Sequence, residues 1–231
     1  MRRSLELSTR KEETRSKVVP PVVRFEITEI KRHYDESISI VEDMFAIAQE
    51  LQKNGNGPQA ENIWRAQIVF IVSAFDFFMH EITKFGLGKI FDGVWEPTIK
   101  YKNICISLDV LNVALKAGES SEWFIEFVNE QFATATMVSY ADVKDQINLL
   151  GLDMQVLADD TFYQQGATEK TLDKLKRRLN GLFSKRNVIA HQSDRRHADA
   201  EVMDIEEETV RGYIGDINNI VNNIVKQITE K

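Results

Sequence analysis

Lys185-Arg186-Asn187-Val188-Ile189-Ala190-His191 gathers the side chains that phosphate chemistry uses into one short stretch. A histidine with its ordinary pKa of about 6.5 can take or give a proton near neutral pH. An arginine stays charged and offers a planar fork of donors to a phosphate. Asn187 adds an orienting hydrogen-bonder, and Lys185 adds positive field. The stretch closes a run with apolar residues every three or four positions: Leu172, Leu175, Leu179, Leu182 and Phe183. That spacing predicts an amphipathic helix, and its next core-facing slot falls on Arg186. A desolvated arginine there calls for an anionic partner. Asn180, Ser184, Asn187 and His191 lie within about 40° of one another and form a polar strip. Arg186 and His191 stand about 140° apart on a straight helix. They converge only if the helix ends between them, if the arginine bends round, or if a second chain contributes.

Charge is distributed in a way that fits a local phosphate site. The whole chain carries −7, which argues against a general nucleic-acid coat. Residues 170–196 nevertheless hold nine Lys/Arg against Asp173 and Asp194, a local +7 that leaves −14 for the rest. Arg177, Arg178, Arg195 and Arg196 are the candidate substrate contacts of this run. Taken alone, such a run more commonly marks a solvated helix face with paired charges. Cys105 is the single cysteine, so no intrachain disulfide is possible, and no Cys/His cluster has zinc spacing. The start shows no secretory pattern, and the most apolar stretch is too short for a bilayer, so a cytoplasmic protein is expected. No Walker-type loop, dinucleotide fingerprint or nucleophile elbow is present. Neither a metal nor a cofactor is therefore expected.

The elements that must position these residues read as helices. Residues 1–17 are charged and poor in apolar side chains, and Val18-Val19-Pro20-Pro21-Val22-Val23 reads as extended, so 1–22 are expected to form a mobile arm ahead of one helical domain over 23–231. A helix is expected from about Phe25 to Lys53, with Ile27, Ile30, Tyr34, Ile38, Val41, Phe45 and Ala48 on one stripe. Asn54-Gly55-Asn56-Gly57-Pro58 ends it. The next helix, about Gln59 to Phe91, is apolar nearly all round and should be the central rod. Ser73, Asp76 and His80 interrupt it on one side. Asp76 and His80 suit an acid–base dyad, half a metal site, or a hydrogen-bonded pair at a helix crossing. Residues 92–166 are expected to be a variable insertion. It should hold a loop or extended piece around Pro97, a helix capped by Ser107, and helices at Trp123–Phe132 and Asp142–Leu150. Thr168 is a candidate cap for the motif helix. The last helix, from about Ile205, spaces Val210, Ile214, Ile217, Val221, Ile224 and Ile228 by four and three, a seam for an intrachain bundle or, less readily, a dimer contact.

An arginine, a polar residue and a histidine at the end of a helix resemble the signature of HEPN-domain ribonucleases. "KRNVIAHQSDR" and the upstream "IVSAFDFFMHEIT" resemble the RiboL-PSP-HEPN subgroup, best over 66–84 and 176–225. Gln192-Ser193 departs from the acidic residue and glycine expected after the histidine. The resemblance implies an all-α HEPN-like bundle that forms homodimers, binds RNA and cuts it without metal. In such chemistry the RNA 2′-OH attacks the adjacent phosphate, leaving a cyclic phosphate. Arg186, His191 and Asn187 would be catalytic, with Lys185 and Ser73 supporting. The resemblance also makes Asp76 a candidate for holding Arg186. Anti-phage defence or a toxin–antitoxin system, with an antitoxin or a defence-complex partner, is the implied setting. A non-catalytic nucleotide- or RNA-binding HEPN module and a purely structural subunit are the alternatives.

Overall fold

The computed structural model describes residues 23–118 and 120–231, so the arm expected over 1–22 lies outside the described residues. Helix α1 (Ile27–Lys53) opens with Glu26 and Glu29 in a reciprocal capping box. Each side chain accepts an N–H that the first turn leaves without a partner. Its expected stripe is its buried face, with Ile30, Tyr34, Ile38, Val41, Phe45 and Ala48 at most 4% exposed. Gly55, at φ 77°, turns the chain into α2 (Gly57–Phe91), which carries Pro58 in its first turn.

Helix α2 is the rod around which the other helices pack. It touches α1 and, further along the chain, α5 (Glu122–Phe132), α6 (Tyr140–Leu149), α8 (Thr171–Gln192) and α9 (Glu207–Thr229). Ile68, Ile71, Phe75, Phe78, Met79 and Ile82 are fully buried on it. Neighbours approach closely enough that a Cβ at Gly86 would stand 2.6 Å from Leu150 Cδ2. The rod is not enclosed on every side: Phe70 and Phe77 remain 51% and 43% exposed.

Between the rod and the motif helix the chain is more regular than its sequence suggests. The segment read as extended contains a short helix, α3 (Ile99–Lys102), capped by the Thr98 side chain. Helix α4 (Leu108–Ala117) starts at the Ser107 cap and stops at Gly118, φ 62°. Helices α5 and α6 lie close to the expected spans. Helix α7 (Met154–Phe162) had no counterpart in the sequence reading. Asp153 caps it by accepting from Gln155 N and Val156 N. Its fully buried Leu157 and Ala158 help fix it against both α8 and α9. Part of the expected insertion is thus a wall of the motif helix.

Helix α8 starts after Lys170 rather than at Thr168, without a side-chain cap. Thr171 instead donates to Asp159 on α7. The seam of α9 is spent inside the chain, since its six expected residues are all at most 5% exposed. It is therefore an intrachain contact. The buried residues form one cluster reaching from Ile30 to Ile228, and the described residues make an all-α bundle. No described helix is long and apolar enough to cross a membrane.

Candidate functional site

The motif helix runs on through Gln192, so it does not end between Arg186 and His191. Nor does the arginine bend toward the histidine. The Arg186 guanidinium lies 5.4 Å from the centre of the Phe183 ring, one turn back toward the helix start. Side chains on a helix lean that way. His191 is exposed, about 7.5 Å further along the axis and on another face. Two of the three routes to convergence are closed within one chain.

The polar strip lies at the surface. Ser184 and His191 are exposed, and Asn187 is half-buried. Asn180 begins the strip, and its Oδ1 accepts from Tyr140 N at 3.1 Å. Arg186 is half-buried yet has no carboxylate or carbonyl partner among the described residues. It is the one arginine of residues 170–196 in that position. Arg177 donates twice to Glu169 at 2.9 Å, and Arg178 pairs with Asp216 while covering the Tyr213 ring. Arg195 donates to Ala200 O at 2.6 Å, and Arg196 binds Asp199. The four arginines expected at substrate are thus all engaged inside the chain. Only Arg177 shares the face of the strip, and its pair with Glu169 is exposed and easily exchanged. Hydrogen bonds from Arg177 hold the Glu169 carboxyl below its usual pKa.

The expected pairing of Asp76 with Arg186 is not what the chain makes. Asp76 Oδ1 accepts from Met137 N at 2.7 Å. His80 Nε2 lies 3.8 Å from that oxygen, too far for a hydrogen bond, and binds Ala135 O at 2.9 Å. Both side chains fasten the loop entering α6, which is the reading of a hydrogen-bonded helix crossing. Ser73 is exposed beside them.

The residues that position the motif's end were not singled out by sequence. Asp194 is fully buried. Its carboxylate receives Arg65 Nε from α2 at 2.9 Å and Lys185 Nζ at 2.7 and 2.9 Å. Lys185, expected to lend field to a substrate, is therefore neutralised by this acid. Arg65 also donates to Met203 O at 2.6 Å, and Asp194 O accepts from Met203 N at 2.8 Å. The loop after α8 is thereby bolted to the central rod. Ser193 and Asp194 both take left-handed backbone, φ 52° and 57°. Ser193 occupies the position where the resemblance led us to expect glycine, the residue that adopts this conformation without strain. The signal that could have found this cluster is Arg65 itself, a cation inside an apolar helix that needs an acid.

The sequence model of the RiboL-PSP-HEPN family matches residues 34–230. The chain belongs to that family. No curated protein and no solved structure matches it. The family match takes in every helix that builds the site, from the stripe of α1 to the last turn of α9. HEPN domains commonly bind RNA and dimerise, which suits an open surface that carries a free arginine and an exposed histidine.

Proposed function

We propose that this RiboL-PSP-HEPN chain is a metal-independent endoribonuclease whose working site is shared by two copies. The observation that carries the reading is Arg186: a half-buried arginine with no carboxylate or carbonyl partner among the described residues, while Arg177, Arg178, Arg195 and Arg196 each have one. Keeping a guanidinium partly desolvated and unpaired is costly unless a ligand supplies the anion. An RNA phosphate is the ligand that fits, with His191 and Asn187 on the adjoining strip. His191 of one copy takes the proton of the 2′-OH, which attacks the neighbouring phosphorus. Arg186 stabilises the added charge, and His191 of the other copy returns a proton to the departing 5′-oxygen. The products are a 2′,3′-cyclic phosphate and a 5′-hydroxyl. We place this activity in the cytoplasm, in anti-phage defence or a toxin–antitoxin pair.

The balance of roles needs no metal, so cleavage of total RNA is expected to persist in excess EDTA. Loss of cutting there, restored by Mg²⁺ or Mn²⁺, would sink this mechanism. RNA binding without any cutting would instead favour the non-catalytic HEPN alternative.

The second copy has an apolar face on which to dock. Ile40 and Ile47 on α1 are 65% and 55% exposed, and Phe70 on α2 is 51% exposed. Ile40 and Phe70 line one shallow hollow, and Ser73 beside them lies on the rod that α8 packs against. A two-fold contact here would pair the same face of both copies. Phe70→Glu is expected to leave the fold intact, shift the mass by light scattering from dimer to monomer, and lower cutting with it. A dimer that survives this change docks elsewhere.

A further inference from the structure

A hollow of about 250 Å³ lies between α4 and α5. Val110 and Val113 of α4 and Trp123 and Phe127 of α5 give it apolar, partly aromatic walls. Asp109, Glu126 and Glu130 also line it, with no base among the lining residues. Glu122 extends the acids of α5 to one every four residues, along a single exposed stripe. None of these four carboxylates pairs with a cation among the described residues, and α4 and α5 together hold one base, Lys116. The hollow therefore fits an occupant that is apolar along its middle and basic at its flank.

The chain itself holds such a segment, and it joins the bundle beside the hollow. Arg24, among the first described residues, donates to Asp92 Oδ2 at 2.9 Å and to the Oγ of Ser121, the residue that opens α5, at 2.6 Å. Trp123 stands close by, edge-on to Phe91 with ring centres 5.4 Å apart. Upstream of Arg24 come Val18-Val19-Pro20-Pro21-Val22 and, before them, Arg15 and Lys17. Residues 1–17 hold six Lys/Arg against three Glu. Two adjacent prolines fix φ and favour an extended left-handed form without internal hydrogen bonds. Segments of that form seat on aromatic-lined grooves at little cost in ordering. We propose that residues 15–22 dock in the α4–α5 hollow of their own chain. Pro20 and Pro21 lie on Trp123 and Phe127, and Arg15 and Lys17 meet Glu126 and Glu130. Chain length allows it. At about 3.1 Å per residue, Pro21 extends about 9 Å from Arg24 and Lys17 about 22 Å. Ser121 to Glu130 spans about 14 Å of α5, which leaves slack for a turn round the head of that helix. An exposed ion pair is worth little by itself, so the apolar seat supplies the affinity and the acids set the direction. The docking takes nothing from the motif helix and stands apart from the ribonuclease reading.

The full chain with Cys105→Ser and Ser16→Cys would carry a second cysteine at Gln131, exposed at the end of α5, or, as the control, at Asn222, exposed on α9. Reaction with a short bis-maleimide in dilute solution, read by gel and mass spectrometry, counts the loops closed within one chain. Closure to Gln131→Cys is expected about tenfold faster than to Asn222→Cys, because docking raises the local concentration of the Ser16→Cys thiol. Glu126→Lys with Glu130→Lys should bring that rate down to the control's, and adding Arg15→Glu with Lys17→Glu should restore it. Both glutamates are exposed, so the bundle tolerates these changes, and an unaltered melting curve checks that it does. Equal closure at the two positions, no closure, or closure that charge reversal leaves untouched overturns the proposal. A covalent dimer in place of the closed monomer overturns it too, since the segment in the hollow would then come from a second copy.

Discussion

RNA cleavage by the His191→Ala protein is expected to fall about 10²–10⁴-fold, the usual effect of removing one positioned acid–base group. The fold should not fall with it. His191 is exposed near the end of α8 and has no hydrogen-bond partner among the described residues whose loss would unravel the helix. Arg186→Ala is expected to be comparably inactive, because the phosphate then loses the motif guanidinium that has no partner among the described residues. The two defective proteins together make the sharper measurement. A dimer of either variant holds no complete Arg186–His191 pair. A mixed dimer holds one, with the arginine from one copy and the histidine from the other, although it lacks the second His191 that returns the proton and so stays well below the wild type. Mixing the two under conditions that allow subunit exchange should thus recover part of the activity. Exchange without any recovery would place both residues of each site on one chain, against the direction in which Arg186 lies over Phe183. Equal cutting of a 2′-deoxy substrate would end the ribonuclease reading, since the nucleophile would be missing.

Much of the bundle was legible because a few segments carry strong apolar periods. The stripe of α1 and the nearly continuous apolar run of α2 each left one arrangement that buries them, and the four-three seam of α9 left two, of which the chain uses the intrachain one. Helix α7 was missed because its span is short and Gly151 and Gly166 on either side dominate the local signal. Its cap, Asp153, looks like any polar loop residue until Gln155 N and Val156 N are seen to point at it. The candidate site's residues were picked out by the sequence, and their partners were misread. The sequence correctly raised the question of how a cation on the core side of a helix is tolerated, but put it to Arg186. Asp76, the acid proposed for the answer, is spent on a backbone N–H of another loop. The cation that is buried and answered is Arg65; besides Glu61 one turn back, its buried acid is separated from it by 129 positions. Nothing in local periodicity links residues that far apart. A long-range polar contact of this kind shows only when the helices are packed.

That contact carries the largest expected stability effect. Asp194→Ala would leave Lys185, with a side chain 19% exposed, without its carboxylate, and Arg65, at 9%, with only the i,i+4 pair to Glu61 at 3.0 Å. Removing one side of a buried ion pair costs about 3–5 kcal/mol, most of it from the charge left behind. Alanine would also be strained at a φ of 57°, whereas asparagine tolerates that backbone. Asp194→Asn therefore isolates the charge from the turn, and should lose less than alanine while still losing most of the ion-pair energy. Both are measured as shifts of the urea midpoint at unchanged slope. Combining Arg65→Met with Asp194→Asn should cost less than the two changes added, because each removes the other's stranded partner. Cutting should fall further than stability explains. Asp194 joins the turn after His191 to the central rod, so the histidine of a folded Asp194→Asn protein is held less firmly against its target. An Asp194→Ala midpoint equal to that of the wild type would show that the cluster adds nothing to stability, and the role assigned to Arg65 would go with it.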